Sequence, residues 1–250
     1  MRKFLVFAVL VLSGKVFSQD VSVLMKEASN FERSLKDDEA LEKYKSVLSS
    51  EPQNLQALIK SSEISSAVGG RQADKKVKLN YYEQAKDFAD KALAINSNSA
   101  DANYVRAVAA SRLTEVEPDN KKLIADVKDI RTFADKALQA DPNHGKANYV
   151  MGKWNYEMVS LSWAKKAAIK VLFGGMPEAT IDNAFKYMEK CRTLEPYFVL
   201  NFLDLAKAYK YDNQPAKAIA VLNQLVKLPT RTPDDLAYKN EGKKMLSEMQ

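Results

Sequence analysis

The 250-residue chain suffices for one domain or a continuous array of small units, and 46% hydrophobic with 28% charged residues is an ordinary folded composition. Its net charge of +6 includes three positive charges that precede an expected cleavage point, so the rest is only mildly basic and lacks the arginine cluster that a nucleic-acid footprint requires. A single cysteine excludes an internal disulfide, and one cysteine with one histidine excludes a conventional zinc set.

Residues 1–18 read as an export signal. Arg2 and Lys3 precede an apolar run from Phe4 to Leu12, and Val16 and Ser18 supply the small residues of a cleavage site before Gln19. The run is well short of the roughly 20 residues that span a bilayer. Lys15 stands where a lipoprotein signal would place its cysteine. This pattern predicts an exported protein, periplasmic or secreted, of bacterial type.

The remainder, 19–250, predicts an all-α solenoid of helical hairpins. Leu24, Ala28 and Phe31 share one face of a first helix; Ala40, Tyr44 and Val47 share one face of a second, which Asp37 and Asp38 cap before Glu51-Pro52 ends the unit. Small residues let paired helices approach while aromatics fill the gaps between hairpins, the pattern of a tetratricopeptide repeat with a period of about 34 residues. A second unit runs from Leu55 to Val68, is stopped by Gly69-Gly70, and resumes from Val77 to Asn96. A third runs from Ala100 through Ala110, loops across residues 115–122, and continues from Leu123 to Asp141-Pro142.

The fourth unit, 143–196, holds both tryptophans and Cys191, whose small apolar position predicts a buried free thiol. Its first helix carries Tyr149, Gly152, Trp154 and Tyr156; its second carries Ala184, Met188 and Cys191. Between them, an added helix has Val159, Trp163, Ala167, Val171 and Leu172 opposite Lys165, Lys166 and Lys170, stopped by Gly174-Gly175 before Pro177. That segment suits extra core cover, with partner docking and membrane-surface contact as rival uses. A fifth unit (Phe202, Ala206, Tyr209; then Ala218, Leu222, Leu225) follows, and a helix over 233–249 caps the apolar end of the array. Units therefore fall at about 21–52, 53–97, 98–142, 143–196 and 197–230, and the middle ones exceed the standard period.

Stacked first helices form a concave surface that takes a protein or peptide. The resemblance to tetratricopeptide repeats implies, by their register, the candidate partner-binding residues Lys146, Tyr149, Lys153 and Tyr156 in the fourth unit and Leu203, Lys207, Lys210 and Tyr211 in the fifth. Lysines beside tyrosines suit an acidic segment. Upstream, Met25, Glu32, Ile59, Glu63 and Tyr104 make a less basic surface.

No catalytic motif, cofactor cradle or metal set stands out in the sequence. The acidic pairs Asp37-Asp38 and Asp234-Asp235 sit at helix starts, where they complement the helix dipole. An enzyme site would have to use His144 in the widened units, beside a carboxylate in a deep polar pocket.

From Phe88 onward, and most after Lys146, the chain resembles the regulator of microtubule dynamics family. The features that carry this are Gly152 and Trp154, then Trp163, Leu172-Phe173, Pro177 and Thr180. Ala184, Tyr187, Leu194-Glu195-Pro196, Leu205-Ala206-Lys207 and Tyr209 follow. The resemblance implies a tetratricopeptide-like repeat domain without catalytic residues. Animal members are microtubule-associated or organelle-contact proteins, and an exported chain does not meet microtubules, so the resemblance is carried over for the fold alone. The reading is a noncatalytic, cofactor-free scaffold of the cell envelope that binds protein or peptide. A peripheral membrane adaptor is its alternative.

Overall fold

The computed structural model describes residues 9–162, 166, 169–171, 175 and 178–250, with side chains from Asp20 onward except Asn120. Eleven helices lie wholly within the described residues, among which there is no strand. They are α1 (Val9–Arg33), α2 (Asp37–Ser50), α3 (Leu55–Arg71), α4 (Lys75–Ile95), α5 (Ala100–Leu113), α6 (Asn120–Ala140), α7 (Gly145–Ser160), α8 (Ile181–Leu194), α9 (Val199–Tyr211), α10 (Pro215–Leu225) and α11 (Asp235–Met249). Each odd helix pairs with the even helix after it, and successive pairs stack into a solenoid with α11 at the end. The expected cleavage point after Ser18 falls inside the span of α1.

Helix starts repeat with the array. Asn54, Ser99 and His144 each N-cap the first helix of a unit, accepting from the backbone N–H three residues on at 3.0, 3.2 and 3.0 Å. They lie 45 residues apart. Asp74 and Asp119, also 45 apart, cap the second helices α4 and α6. Buried Asn103 and Asn148 repeat another detail, each donating through Nδ2 to two carbonyls of the preceding turn.

The core follows the expected small residues. Ala28, Ala40, Ala85, Ala89, Ala107, Ala134, Ala147, Ala184 and Ala218 are fully buried, and Tyr44, Tyr82 and Trp154 fill the spaces between helices. Phe202, Ala206, Tyr209, Leu222 and Leu225 form the core of the fifth unit, and Asn213 takes the left-handed conformation at its turn (φ 55°). Cys191 is a buried free thiol, and burial pushes its pKa up.

Several local expectations change. The Gly69-Gly70 pair does not stop α3, which continues to Arg71. Gly69 instead permits close packing, because a Cβ there would lie 2.8 Å from Tyr82 Cε1 and 2.9 Å from Tyr81 Cβ. The third-unit loop is shorter than expected because Asp119 starts α6 at Asn120. Extra length in the middle units goes into helices: α4 and α6 have 21 residues each, against 14 in α2 and α8.

Asp37 does not cap α2, whose N-cap is Lys36 and whose start has no side-chain capping bond. In the added helix of the fourth unit, Trp163, Lys165, Ala167, Leu172, Phe173, Gly174 and Pro177 lie outside the described residues. Lys166 and residues 169–171 are helical; Ile169 packs on the core, but Val171 is exposed. The terminal helix α11 packs on the last hairpin, with Gly242 against Leu225, where a Cβ would lie 2.6 Å from Cδ2.

Candidate functional site

The first helices line a cleft of about 500 Å³ on the inner face of the solenoid. Its apolar floor includes Val108, Val150, Trp154, Phe198 and Leu200, and its walls carry charged side chains. The segment before α11 closes one side, contributing Arg231 to Asp235 and Tyr238.

Two charge clusters organise the walls. In the first, Glu63 of α3 accepts from Lys146 of α7 at 2.5 Å and from Lys60 at 3.4 Å, while Lys60 also reaches Glu32 at 2.9 Å. Burial alone would raise the Glu63 carboxyl, but the two ammonium groups overcome it and hold the pKa at about 2. Glu63 in turn holds Lys146 well above the ordinary lysine range despite the cost of burial. Tyr44 donates to Glu32, extending this chain to α2.

In the second cluster Asp204 of α9 is the hub. It is 4% exposed, and it accepts from Tyr149 Oη at 2.7 Å and from Lys153 Nζ at 3.0 Å. Lys207 lies 3.5 Å from its other oxygen and 2.9 Å from Glu241. Burial opposes the charge on Lys153, yet Asp204 and Glu157 push its pKa up to about 12. Burial is also the main cause holding the Tyr149 hydroxyl protonated, reinforced by Asp204.

The fourth-unit candidates Lys146, Tyr149 and Lys153 thus come together on the cleft wall, with Tyr149 largely buried. Tyr156, Lys207, Lys210 and Tyr211 gather instead at a separate shallow groove beside α11, where the two tyrosine rings meet edge to face at 5.9 Å. Leu203 is a correction. It is fully buried in the core of the fifth unit and presents no surface. The inward-facing position of that turn is its neighbour Asp204.

Sequence reasoning missed Asp204, although a signal existed. It is the one acidic residue of α9, flanked by Leu203 and Leu205 in a core run, and a carboxylate so placed requires a partner. The basic surface expected of the C-terminal half is also largely neutralised, since Lys146, Lys153 and Lys207 all bind carboxylates.

His144 lies at a different opening, where residues of α3, α5 and α7 line a groove that includes Asp101, Asp141 and Glu195. The ring is 12% exposed and packs on Tyr104 at 5.0 Å. Its Nδ1 accepts from Ala147 N–H, which places the proton of the neutral ring on Nε2, where Asp101 Oδ1 accepts it at 3.0 Å. Both ring nitrogens are thus engaged in this structure. Asp101 thereby orients the ring that caps α7. Among the described residues no cluster of histidine, cysteine and carboxylate side chains has the makings of a metal site.

Residues 24–250 match the family model of regulator of microtubule dynamics protein 1-3. The match extends well upstream of the Phe88 boundary expected from sequence motifs. The chain is 26% identical to regulator of microtubule dynamics protein 1 of Mus musculus over 176 residues, 70% of this chain and 57% of that protein. Over 99 residues it is 32% identical to protein 2 of the same species, 39% of this chain and 24% of that protein. The chain thus spans between 24% and 57% of these two curated relatives.

Among solved structures, a thermophilic tetratricopeptide protein of Thermus thermophilus superposes with a TM-score of 0.64 at 15% identity, covering 91% of this chain and 99% of that one. PilW, a type IV pilus biogenesis factor, superposes at 0.56 and 18% identity, covering 92% and 90%. At these identities the likeness is one of fold.

Proposed function

The chain belongs to the regulator of microtubule dynamics protein 1-3 family, and from that premise we propose a noncatalytic scaffold of the bacterial cell envelope whose inner cleft holds a protein or peptide. The observation that carries this reading is the cleft itself: an apolar floor that includes aromatic rings, bordered by ion pairs contributed by the second, fourth and fifth units. Such a surface offers shape and polar contacts along an extended partner, as tetratricopeptide-type arrays do. The engagement of both His144 nitrogens supports the noncatalytic part of the reading.

An acidic partner fits in a particular way. Lys146 and Lys153 already hold Glu63 and Asp204, so an incoming carboxylate exchanges one anion for another. Charge then sets specificity and orientation more than net attraction. The shallow groove with Lys210 and Tyr211 extends the same chemistry beyond the cleft.

Export rests on the N-terminal pattern of Arg2, Lys3, the Phe4–Leu12 run and Ser18. No helix of the described residues is long and apolar enough to cross a membrane. The test is affinity capture from envelope extract by the wild-type chain and by Lys146→Glu/Lys153→Glu, with N-terminal sequencing of the exported bait. Partners enriched by wild type and lost by the charge-reversed bait support the reading. Equal capture by both, or none by either, removes it.

A further inference from the structure

The two acidic pairs that the sequence places at helix starts are brought to one arginine. Arg71, the last residue of α3, donates through Nη2 to Asp37 of α2 at 2.8 Å and through Nη1 to Asp234, just before α11, at 3.1 Å. Asp37 and Asp234 both line the cleft. The side chains of Arg71, Asp37 and Asp234 are only 28, 13 and 21% exposed. The join therefore connects the first two units to the last helix across the open side of the solenoid.

The strap that carries Asp234 is firm at its base. Asp235 is 3% exposed and accepts from the backbone N–H groups of Arg231 and Thr232 at 2.7 and 2.9 Å and from Thr232 Oγ1 at 2.8 Å. The Arg231 guanidinium lies 3.8 Å above the Tyr197 ring, and α11 packs on α9 and α10. Tyr238 adds a polar neighbour to Arg112 of α5. The strap is thus fixed to the end of the solenoid by packing, and its junction with α2 and α3 at Asp234 is ionic.

We propose that the Asp37–Arg71–Asp234 bridge is a salt-sensitive latch that closes the solenoid over its own cleft, and that the cleft is entered by release of this latch. Solenoids flex along their length because each unit contacts only its neighbours. Ion pairs that keep some contact with solvent, as all three side chains of this bridge do, weaken as salt screens them. Removing Arg71 leaves the Asp37 and Asp234 carboxylates facing one another, so repulsion replaces the bridge. The inference concerns access to the cleft proposed above as the partner site, but it can be read without any partner.

Its test is the rate of maleimide labelling of Ser111→Cys, a cleft-lining position, in the full chain. The native Cys191 is fully buried and provides little background. Lys91→Cys, on an exposed side chain of α4, controls for any direct effect of salt on the reaction. Relative to that control, labelling at Ser111→Cys should rise about fivefold or more between 0.05 and 0.5 M NaCl (roughly the range over which the Debye length falls severalfold). Adding Arg71→Ala, or the milder Asp234→Asn, should give the faster rate already at low salt and abolish the salt response. Rates independent of salt in the otherwise wild-type chain would overturn the latch, as would latch variants that keep the salt response. Because the salt titration uses the intact bridge, it decides the matter even if a variant folds poorly, and it is independent of whether a partner is ever captured.

Discussion

The Glu63→Gln substitution isolates the ion cluster that ties the second unit to the fourth. Glutamine preserves shape and some hydrogen bonding but removes the charge that faces Lys146 and Lys60; Lys60 retains Glu32 at 2.9 Å. The Glu63 pKa falls from 4.5 to about 2 on folding. At about 1.4 kcal/mol per unit this shift corresponds to an upper bound of about 3 kcal/mol at pH 7. The side chain is 25% exposed, so solvent screening reduces the expected loss to about 1–3 kcal/mol.

The sign follows from linkage: a depressed carboxylate pKa stabilises above the unfolded value, and that contribution is lost as pH falls from about 5 toward 2. Urea unfolding of wild type and Glu63→Gln should therefore differ at pH 7, and the gap should narrow by about half or more at pH 3. A gap of the same size at both pH values, or none at pH 7, would refute the assignment of this stability to the ion cluster.

Three further substitutions probe other parts of the fold. Burial is the main cause raising the Asp126 pKa from 3.8 to about 6, so its charge penalises folding at neutral pH; Asp126→Asn should raise stability by about 1–3 kcal/mol at pH 7.5, and thermal melts should show the gain gone below about pH 4. His144→Ala should cost about 1 kcal/mol through loss of the α7 cap, whereas His144→Asn, the residue type used at the equivalent position 54, should recover most of it in chemical denaturation. Gly152→Ala should destabilise by about 1–2 kcal/mol despite better helix propensity, because the new Cβ would lie 3.0 Å from Met188 N and 3.1 Å from Ala184 O, backbone atoms that cannot rotate away.

Much of the architecture was legible in the sequence because it is local and periodic. Buried alanines mark each hairpin, and Asn54, Ser99 and His144 recur at one interval. Glycines were harder to interpret. The Gly69-Gly70 pair looks like a helix stop, but the ring of Tyr82 from the next helix determines its use. At the cleft, the positions of Lys146, Tyr149 and Lys153 followed from the tetratricopeptide register, whereas Leu203 stood one residue from the inward-facing Asp204. One step along a helix turns a side chain by about 100°, which moves it from wall to core. The Asp37–Arg71–Asp234 bridge had no local signal, because its Arg71–Asp234 bond alone spans 163 positions and depends on the curvature accumulated over the whole array.

The central claim, that partners occupy the inner cleft, is tested most directly by site-specific photocrosslinking in envelope extract. A photoreactive side chain placed at Ser111 in the cleft is compared with one placed at exposed Lys91 on α4. Discrete adducts should form from position 111, be abolished by Lys146→Glu/Lys153→Glu, and be absent from position 91. Adducts formed equally from both positions, or from position 91 alone, would contradict it.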